Sequence, residues 1–298
     1  MKRETLPAAL LIAAFWIQLV MAAPRLSATS DELPHLVAGY IYWKTQDFTI
    51  NFEHPPLVKL IAAAPLLYLE PKFDNNWMIS DTARGAQEWD VGFRFLYENN
   101  ADQLLLWARL PMTLLAVLGA VVTFLWARDM FGGGAGLFAL SLYAFSPNLL
   151  AHGMLITTDV PLASFTVLTF YLFWRQKTPV SWSGSVALGL ALGAAMSSKF
   201  SGVFLPLIIS VLAAARAWNS QDRYRQLVAE TKALLVTGSI AFLFIPATYF
   251  FSVSPLFYFV GAGSVNMNHD RNALYFLFGQ FRPNGWWYYF LLAFLVKA

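Results

Sequence analysis

The residues best suited to chemistry begin with an acidic pair, Asp31 and Glu32, and continue with the run FEHPPLVK at residues 52–59. A carboxylate within hydrogen-bond reach of a hydroxyl or amine can act as a general base. An acidic pair is equally suited to the start of a helix, where the backbone dipole favours negative charge. Taken alone, the pair favours the helix-capping interpretation.

The two prolines of the second run are expected to set the direction of the chain. Pro55 and Pro56 fix two backbone angles and lack an N–H, so they suit the beginning of a helix and would aim Glu53 and His54 into a cleft. Glu53, His54 and the distant His269 are side-chain types that bind divalent metals, although no spacing rule connects the two loops. A divalent ion (zinc, magnesium or manganese) is therefore a candidate cofactor, with these three residues as candidate ligands.

Composition places these residues in a membrane protein. Of the 298 residues, 58% are hydrophobic and 12% are charged, and the mean hydropathy is +0.53. Lipid-facing helices can be apolar all round, and each needs about 20 residues to cross the hydrocarbon core. The net charge of +3 gives no reason to expect a nucleic-acid partner, and the absence of cysteine from the sequence excludes disulfides and thiolate metal sites.

The hydrophobic runs predict an all-α polytopic bundle of about eight transmembrane helices. They lie near residues 6–23, 104–126, 135–151, 160–174, 183–197, 200–215, 233–251 and 285–296. Lys2 and Arg3 precede the first run, and alternation puts most other basic loop residues on the same side, which the positive-inside rule makes cytoplasmic. The first run also fits a cleaved signal peptide, because small residues follow at Ala22 and Ala23, but an uncleaved helix is preferred.

Two long segments then fall on the outer side, at about residues 24–103 and 252–284. Residues 31–46 can form a helix with one apolar face and are predicted to be an interfacial helix. Residues 57–69 are apolar but too short to cross, which predicts a second interfacial or re-entrant helix, and the two would form a platform. The second loop carries His269, Asp270 and Arg271 and is placed to close over that platform. Residues 1–298 are interpreted as a single transmembrane domain with its chemistry on the outer face.

The acidic pair and the HPP turn resemble the protein O-mannosyltransferase and aminoarabinose transferase group, glycosyltransferase family 39-like enzymes of the GT-C fold. The resemblance extends to WARLP at residues 107–111, TTDVP at 157–161, SSKF at 197–200 and GWWYYF at 285–290, and so covers nearly the whole chain. Members of this group are usually much longer. The sequence is therefore expected to be their N-terminal membrane part, truncated at the C-terminal end.

The resemblance implies an inverting glycosyltransferase in the plasma (inner) membrane. The expected donor is a sugar on a polyisoprenyl phosphate (dolichyl or undecaprenyl), and the expected acceptor is a protein, lipid or glycan at the outer face. Asp31 is the candidate base and Glu32 supports it. In combination with the HPP turn, Arg109 and Asp159, the functional interpretation of the acidic pair outweighs the capping one.

A phosphate leaving group needs preorganised cations more than it needs protonation. Arg109 matches the group's arginine and is the first candidate for the donor phosphate, followed by His54, Lys199 and Arg271. Lys199 is also placed to reach the lipid headgroups with its ammonium. Asp159 either caps the following helix or orients the acceptor or the Asp31 loop.

Two other classes of function remain. A carrier or flippase for a lipid-linked saccharide also has many spans, but it should place charges within them or show inverted repeats, and these spans are almost free of charge. The second alternative is a non-catalytic relative that serves as a binding or assembly subunit.

Overall fold

The computed structural model describes residues 4–74, 77, 84–176, 181–267 and 274–297, and these form a helical bundle. The helices are α1 Thr5–Ala22, α2 Glu32–Thr45, α3 Leu57–Ala63, α4 Leu66–Leu69, α5 Arg84–Tyr97, α6 Ala101–Phe131, α7 Gly133–Ala144, α8 Pro147–His152, α9 Asp159–Arg175, α10 Trp182–Ser198, α11 Leu205–Trp218, α12 Arg223–Thr248, α13 Leu256–Met267 and α14 Tyr289–Lys297. The β-structure within the described residues is one antiparallel hairpin, β1 Leu274–Leu277 and β2 Gln280–Pro283. The predicted all-α membrane class is confirmed.

Four helical segments of the described chain are long and apolar enough to cross a membrane. They are Thr5–Arg25, Ala101–Phe131, Phe200–Trp218 and Arg223–Thr248. Two more of the predicted spans, near residues 160–174 and 183–197, are the 17-residue helices α9 and α10. The chain is therefore a multi-pass membrane protein.

The remaining two predicted spans differ from the structure. The run at residues 135–151 is two short helices, because the chain leaves the helix at Phe145 and begins α8 with Pro147, whose ring suits the first position of a helix. The run at residues 285–296 becomes helical only at Tyr289, since Asn284 and Gly285 adopt positive φ values of 64° and 62° in a turn.

The spanning helices pack through buried apolar and small residues. Phe15 and Leu19 of α1 are buried in one cluster with residues of α6 and α7. A Cβ added at Gly189 or Gly193 of α10 would lie within 3 Å of α12 side chains, so these glycines allow the two helices to approach closely.

Charged helix ends separate onto two faces of the bundle. On one face, Asp129 at the end of α6 accepts a hydrogen bond from Tyr171 of α9 (2.8 Å), and Arg216 of α11 donates to the Phe173 carbonyl (2.9 Å). Toward the opposite ends of these helices lie Arg109, in the first part of α6, and Asp159, at the start of α9. This sorting is the one that helix alternation predicts.

The long first loop folds into a packed platform of helices. α2 forms as predicted, but it is buried on nearly all sides instead of lying on the membrane with one apolar face. α3 approaches α2 at Gly39, and α5 approaches it at Gly92, where an added Cβ would lie 2.5 Å from the Leu33 carbonyl oxygen. Pro65 interrupts the predicted helix at residues 57–69, which is two helices, α3 and α4.

The second loop packs on this platform through α13. Tyr258 donates a hydrogen bond to the Met196 carbonyl at the end of α10 (3.0 Å), and its ring meets Phe200 edge-on at 5.0 Å. Gly261 lies against the same Phe200 ring and the Phe52 carbonyl. The described part of this loop therefore covers the segment that contains the HPP turn.

Candidate functional site

A buried ion pair between Glu32 of α2 and Arg109 of α6 forms the base of the site. The Nε and Nη2 atoms of Arg109 donate to the two carboxylate oxygens of Glu32 at 2.8 and 2.7 Å, and both side chains are fully buried. The guanidinium also donates to the carbonyls of Ala23 (2.6 Å), Leu26 (2.8 Å) and Ser27 (3.0 Å). All five of its N–H donors are therefore used to hold the α1–α2 connection against α6.

This geometry changes the role predicted for Arg109. A guanidinium whose five donors are all occupied inside the protein offers none to a donor phosphate in this arrangement. We therefore assign Arg109 to positioning, in place of the phosphate-binding role that the sequence suggested.

Both carboxylate oxygens of Glu32 are also occupied by hydrogen bonds within the protein. Its Oε2 accepts from the backbone N–H and hydroxyl of Thr29, at 2.9 and 3.2 Å, and its Oε1 accepts from the N–H of Ile156 at 3.2 Å. Together with Arg109, these contacts occupy both carboxylate oxygens. Glu32 supports Asp31 by fixing the start of α2 and not by contacting an acceptor.

Asp31 has the opposite environment. It is exposed and lies at the N-terminal cap of α2, where its backbone carbonyl accepts from the His35 N–H at 3.3 Å. Among the described residues its carboxylate forms no capping hydrogen bond, whereas Glu32 accepts from the backbone N–H of Thr29, so the capping alternative fits Glu32 and not Asp31. The carboxylate is accessible while the adjacent residue is immobilised.

His35, together with Glu32, holds the segment before α9. Its Nδ1 lies 2.8 Å from the Ile156 carbonyl, so Ile156 is held at its N–H by Glu32 and at its C=O by His35. Burial, followed by the positive charge of Lys59, lowers the pKa of His35 to about 3, so the neutral ring donates from Nδ1 to this carbonyl. The sequence analysis did not select His35, although its spacing of three from Glu32 puts both on one helix face.

Asp159 and Lys199 come together although they are far apart in sequence. The ammonium of Lys199, at the C-terminal cap of α10, lies 2.6 Å from Oδ1 of Asp159, the first residue of α9. Their side chains are 30% and 70% exposed, respectively. A partly exposed pair of this kind contributes about 1 kcal/mol at most to stability.

His54 lies beside this pair and beside His35. Its ring centroid is 5.5 Å from that of His35. Burial is the main cause that lowers the pKa of His54 to about 4, and the charges of Lys59 and Lys199 add to it. The structure thus gathers three of the predicted site residues, His54, Asp159 and Lys199.

Several buried polar atoms around these residues lack a partner within the described structure. They are Nδ1 of His54, Oγ1 of Thr157 and Oγ of Ser197. Thr157 and Ser197 each precede one member of the Asp159–Lys199 pair by two positions, so their segments meet at that pair. An unpaired buried polar atom costs about 1–3 kcal/mol, and a ligand rich in hydrogen-bonding oxygens would satisfy such atoms.

Lys59 holds the turn that carries His54. α3 begins directly after Pro55 and Pro56, as predicted, and places the fully buried Lys59 beneath the turn. Its ammonium donates to the carbonyls of Asn51 and His54 and to the hydroxyl of Tyr42.

Burial lowers the pKa of Lys59 to about 7, although the charges of Glu88 and Glu53 oppose this shift. The sequence placed Lys59 in the FEHPPLVK run without a role; its one signal was a cation within an apolar helix.

The structure does not test the candidate metal site or the role of Arg271. His269 and Arg271 lie outside the described residues. In the described part of the chain, no three His, Asp or Glu side chains gather as a metal site would require. Metal binding by Glu53, His54 and His269 therefore stays a prediction.

Comparisons with known proteins agree with this architecture. The sequence model of the family described as dolichyl-phosphate-mannose-protein mannosyltransferase matches residues 102–250, which is half of the chain and runs from α6 through α12. No curated protein matches the chain significantly.

A solved structure, the S. cerevisiae protein O-mannosyltransferase Pmt1-Pmt2 complex bound to the sugar donor, resembles the chain with a TM-score of 0.57 and 19% identity. The match covers 89% of this chain and 34% of that chain, so the present sequence spans about a third of the length of the protein it resembles. At this identity the likeness shows the fold alone. The chain therefore has a GT-C type membrane helical fold and belongs to the dolichyl-phosphate-mannose-protein mannosyltransferase family.

Proposed function

We propose that this chain is the membrane region of an inverting glycosyltransferase that uses a sugar on a polyisoprenyl phosphate. One observation carries the proposal: Asp31 presents an accessible carboxylate directly beside Glu32, which Arg109 locks in place. Such a base is open to an acceptor, and the hydrogen bonds of Glu32 hold the backbone next to it. The acceptor is a hydroxyl or other nucleophile of a protein, lipid or glycan at the outer face of the plasma (inner) membrane, with the N terminus in the cytoplasm.

In the proposed reaction the acceptor attacks the anomeric carbon on the face opposite the phosphate. Asp31 takes the acceptor's proton as the new glycosidic bond forms, and the bond between the anomeric carbon and the phosphate oxygen breaks, which inverts the configuration. The polyisoprenyl phosphate leaves as an anion. No protonation of the leaving group is needed.

The leaving phosphate is proposed to lie among Lys199, His54 and the unpaired hydroxyls of Thr157 and Ser197. The Lys199 ammonium supplies positive charge, and the hydroxyls supply donors that are buried and unpaired in the described structure. Asp159 orients Lys199 through their 2.6 Å contact. Arg109 acts indirectly, through Glu32.

The test is transfer of radiolabelled sugar from dolichyl and undecaprenyl phosphate sugars to membrane extracts, comparing wild type, Asp31→Asn and Asp102→Asn. Asp102 is a matched control, because it is an exposed aspartate in the first turn of α6. We expect Asp31→Asn to reduce turnover about 10²–10⁴-fold while donor binding persists, and Asp102→Asn to leave turnover unchanged.

Equal turnover in Asp31→Asn and wild type would remove Asp31 from the mechanism. A wild type that binds donor without transfer would favour the non-catalytic subunit. Movement of the intact donor between leaflets of a vesicle, again without transfer, would favour the transporter.

A further inference from the structure

A groove of about 300 Å³ lies between α10 and α12, at the end of the bundle opposite Asp31 and Lys199. It is lined by Trp182 and Ser185 of α10 and by Arg225, Val228, Lys232 and Val236 of α12. The spacing of the four α12 residues puts them along one side of the helix. The volume is at the lower end of the range of small-molecule sites.

The two cations of this groove are not neutralised by the described part of the chain. Neither Arg225 nor Lys232 forms an ion pair with a described residue. The nearby carboxylates have other partners: Asp222 caps α12 by accepting from the Arg225 backbone N–H at 3.0 Å, and the buried Glu230 accepts from Arg216 at 3.3 Å. The groove therefore has two positive charges above an aliphatic floor.

From this arrangement we propose that the groove binds an anionic phospholipid, with its phosphate between Arg225 and Lys232. The two cations are seven positions apart, which is about 10 Å along a helix, so both long side chains can reach one phosphate from opposite sides. Val228 and Val236 would contact the glycerol and the first acyl carbons. Trp182 is exposed at the rim, where an indole suits the headgroup level.

A lipid fits this groove better than a soluble phosphate does. The groove opens between two helices of a membrane bundle, so a lipid's acyl chains can continue into the bilayer while its headgroup stays at the charged end. A soluble phosphate would leave the valine floor exposed to water. Each of the two groove cations is expected to favour an anionic lipid about fivefold.

The test is native mass spectrometry of the full chain in detergent with equal amounts of phosphatidylglycerol and phosphatidylcholine. Wild type should retain phosphatidylglycerol at least fivefold over phosphatidylcholine. Arg225→Gln and Lys232→Gln should each reduce this preference severalfold, and the double variant should abolish it. Arg223→Gln is the matched control on the same helix; Arg223 stacks on the Trp218 ring, 4.7 Å from its centroid, and should leave the preference unchanged.

Wild type without a preference for phosphatidylglycerol would overturn the proposal, and so would a double variant that keeps it. Glycerol 3-phosphate that displaces the lipid at equal concentration would assign the site to a soluble phosphate instead. All readouts count bound lipid, so they are independent of glycosyl transfer.

Discussion

Arg109 and Glu32 form a bidentate pair across 77 positions of sequence, with Nε and Nη2 at 2.8 and 2.7 Å from the two carboxylate oxygens. The pair joins α6 to the first turn of α2 and is fully buried. It is thus one of the connections between the spanning bundle and the platform that presents Asp31. Whether Arg109 positions Asp31 or binds the donor phosphate is tested by measuring thermal unfolding and donor affinity separately.

Arg109→Met should be strongly destabilising, because it leaves the Glu32 carboxylate buried without its counter-charge. Breaking one partner of a buried pair typically costs about 3–5 kcal/mol. The measurement is thermal unfolding in detergent, with the double variant Glu32→Gln/Arg109→Met as the control, since removing both charges should recover part of the loss. An Arg109→Met protein with unchanged unfolding but weaker donor binding would restore the phosphate-binding role.

Lys199→Gln should change donor affinity strongly and stability little. The Asp159–Lys199 pair is partly exposed, so its loss should change the free energy of unfolding by about 1 kcal/mol or less. The apparent KM for the polyisoprenyl phosphate sugar should rise about tenfold or more if the ammonium contacts the donor phosphate. Lys44→Gln, an exposed lysine at the end of α2, is the control and should leave KM unchanged. An unchanged KM in Lys199→Gln would exclude it from the donor site.

Between pH 5 and 6.5 the stability should fall as the pH falls. His35 and His54 have folded pKa values of about 3 and 4, below the ordinary value near 6.5, so the unfolded chain takes up protons in this window and the folded chain does not. Each histidine therefore contributes a slope of at most about 1.4 kcal/mol per pH unit. His35→Gln should remove roughly half of this slope, as measured by unfolding over this range. A slope unchanged by His35→Gln would contradict the burial of a neutral His35.

Above pH 7 the titration of Lys59 should govern how stability depends on pH. The folded pKa of Lys59 is about 7 and its ordinary value is 10.5, so the unfolded chain binds the extra proton between these values and stability rises with pH across that window. Lys59→Met should abolish this rise. It should also increase amide hydrogen exchange in residues 51–54, since the ammonium no longer bonds the Asn51 and His54 carbonyls. Exchange rates in that turn equal to wild type would show that Lys59 does not hold it.

The local parts of the site were predictable from sequence, and the distant contacts were not. The start of α2 at the acidic pair, where Glu32 bonds back to Thr29, and the start of α3 after Pro56 follow from capping and proline rules that act within a few residues. The saturation of Arg109 depends on carbonyls more than eighty positions away, and no spacing rule indicates it. α5 was missed because it carries several charges and is amphipathic; its residues Val91 and Phe95 are fully buried on the platform.

Gly39 allows α2 and α3 to approach each other closely. A Cβ at this position would lie 2.9 Å from Cβ of Ala63 and still nearer to the Lys59 carbonyl oxygen. Gly39→Ala should therefore push α3 away from α2, destabilise the chain by about 1–3 kcal/mol and lower transfer by displacing the His54 turn. Gly238→Ala in α12 is the matched control: no described atom lies within 4 Å of its added Cβ, and alanine favours a helix by up to about 1 kcal/mol. If Gly39→Ala unfolds at or above the wild-type temperature and transfers sugar at the wild-type rate, the close packing of α2 on α3 does not position the candidate site.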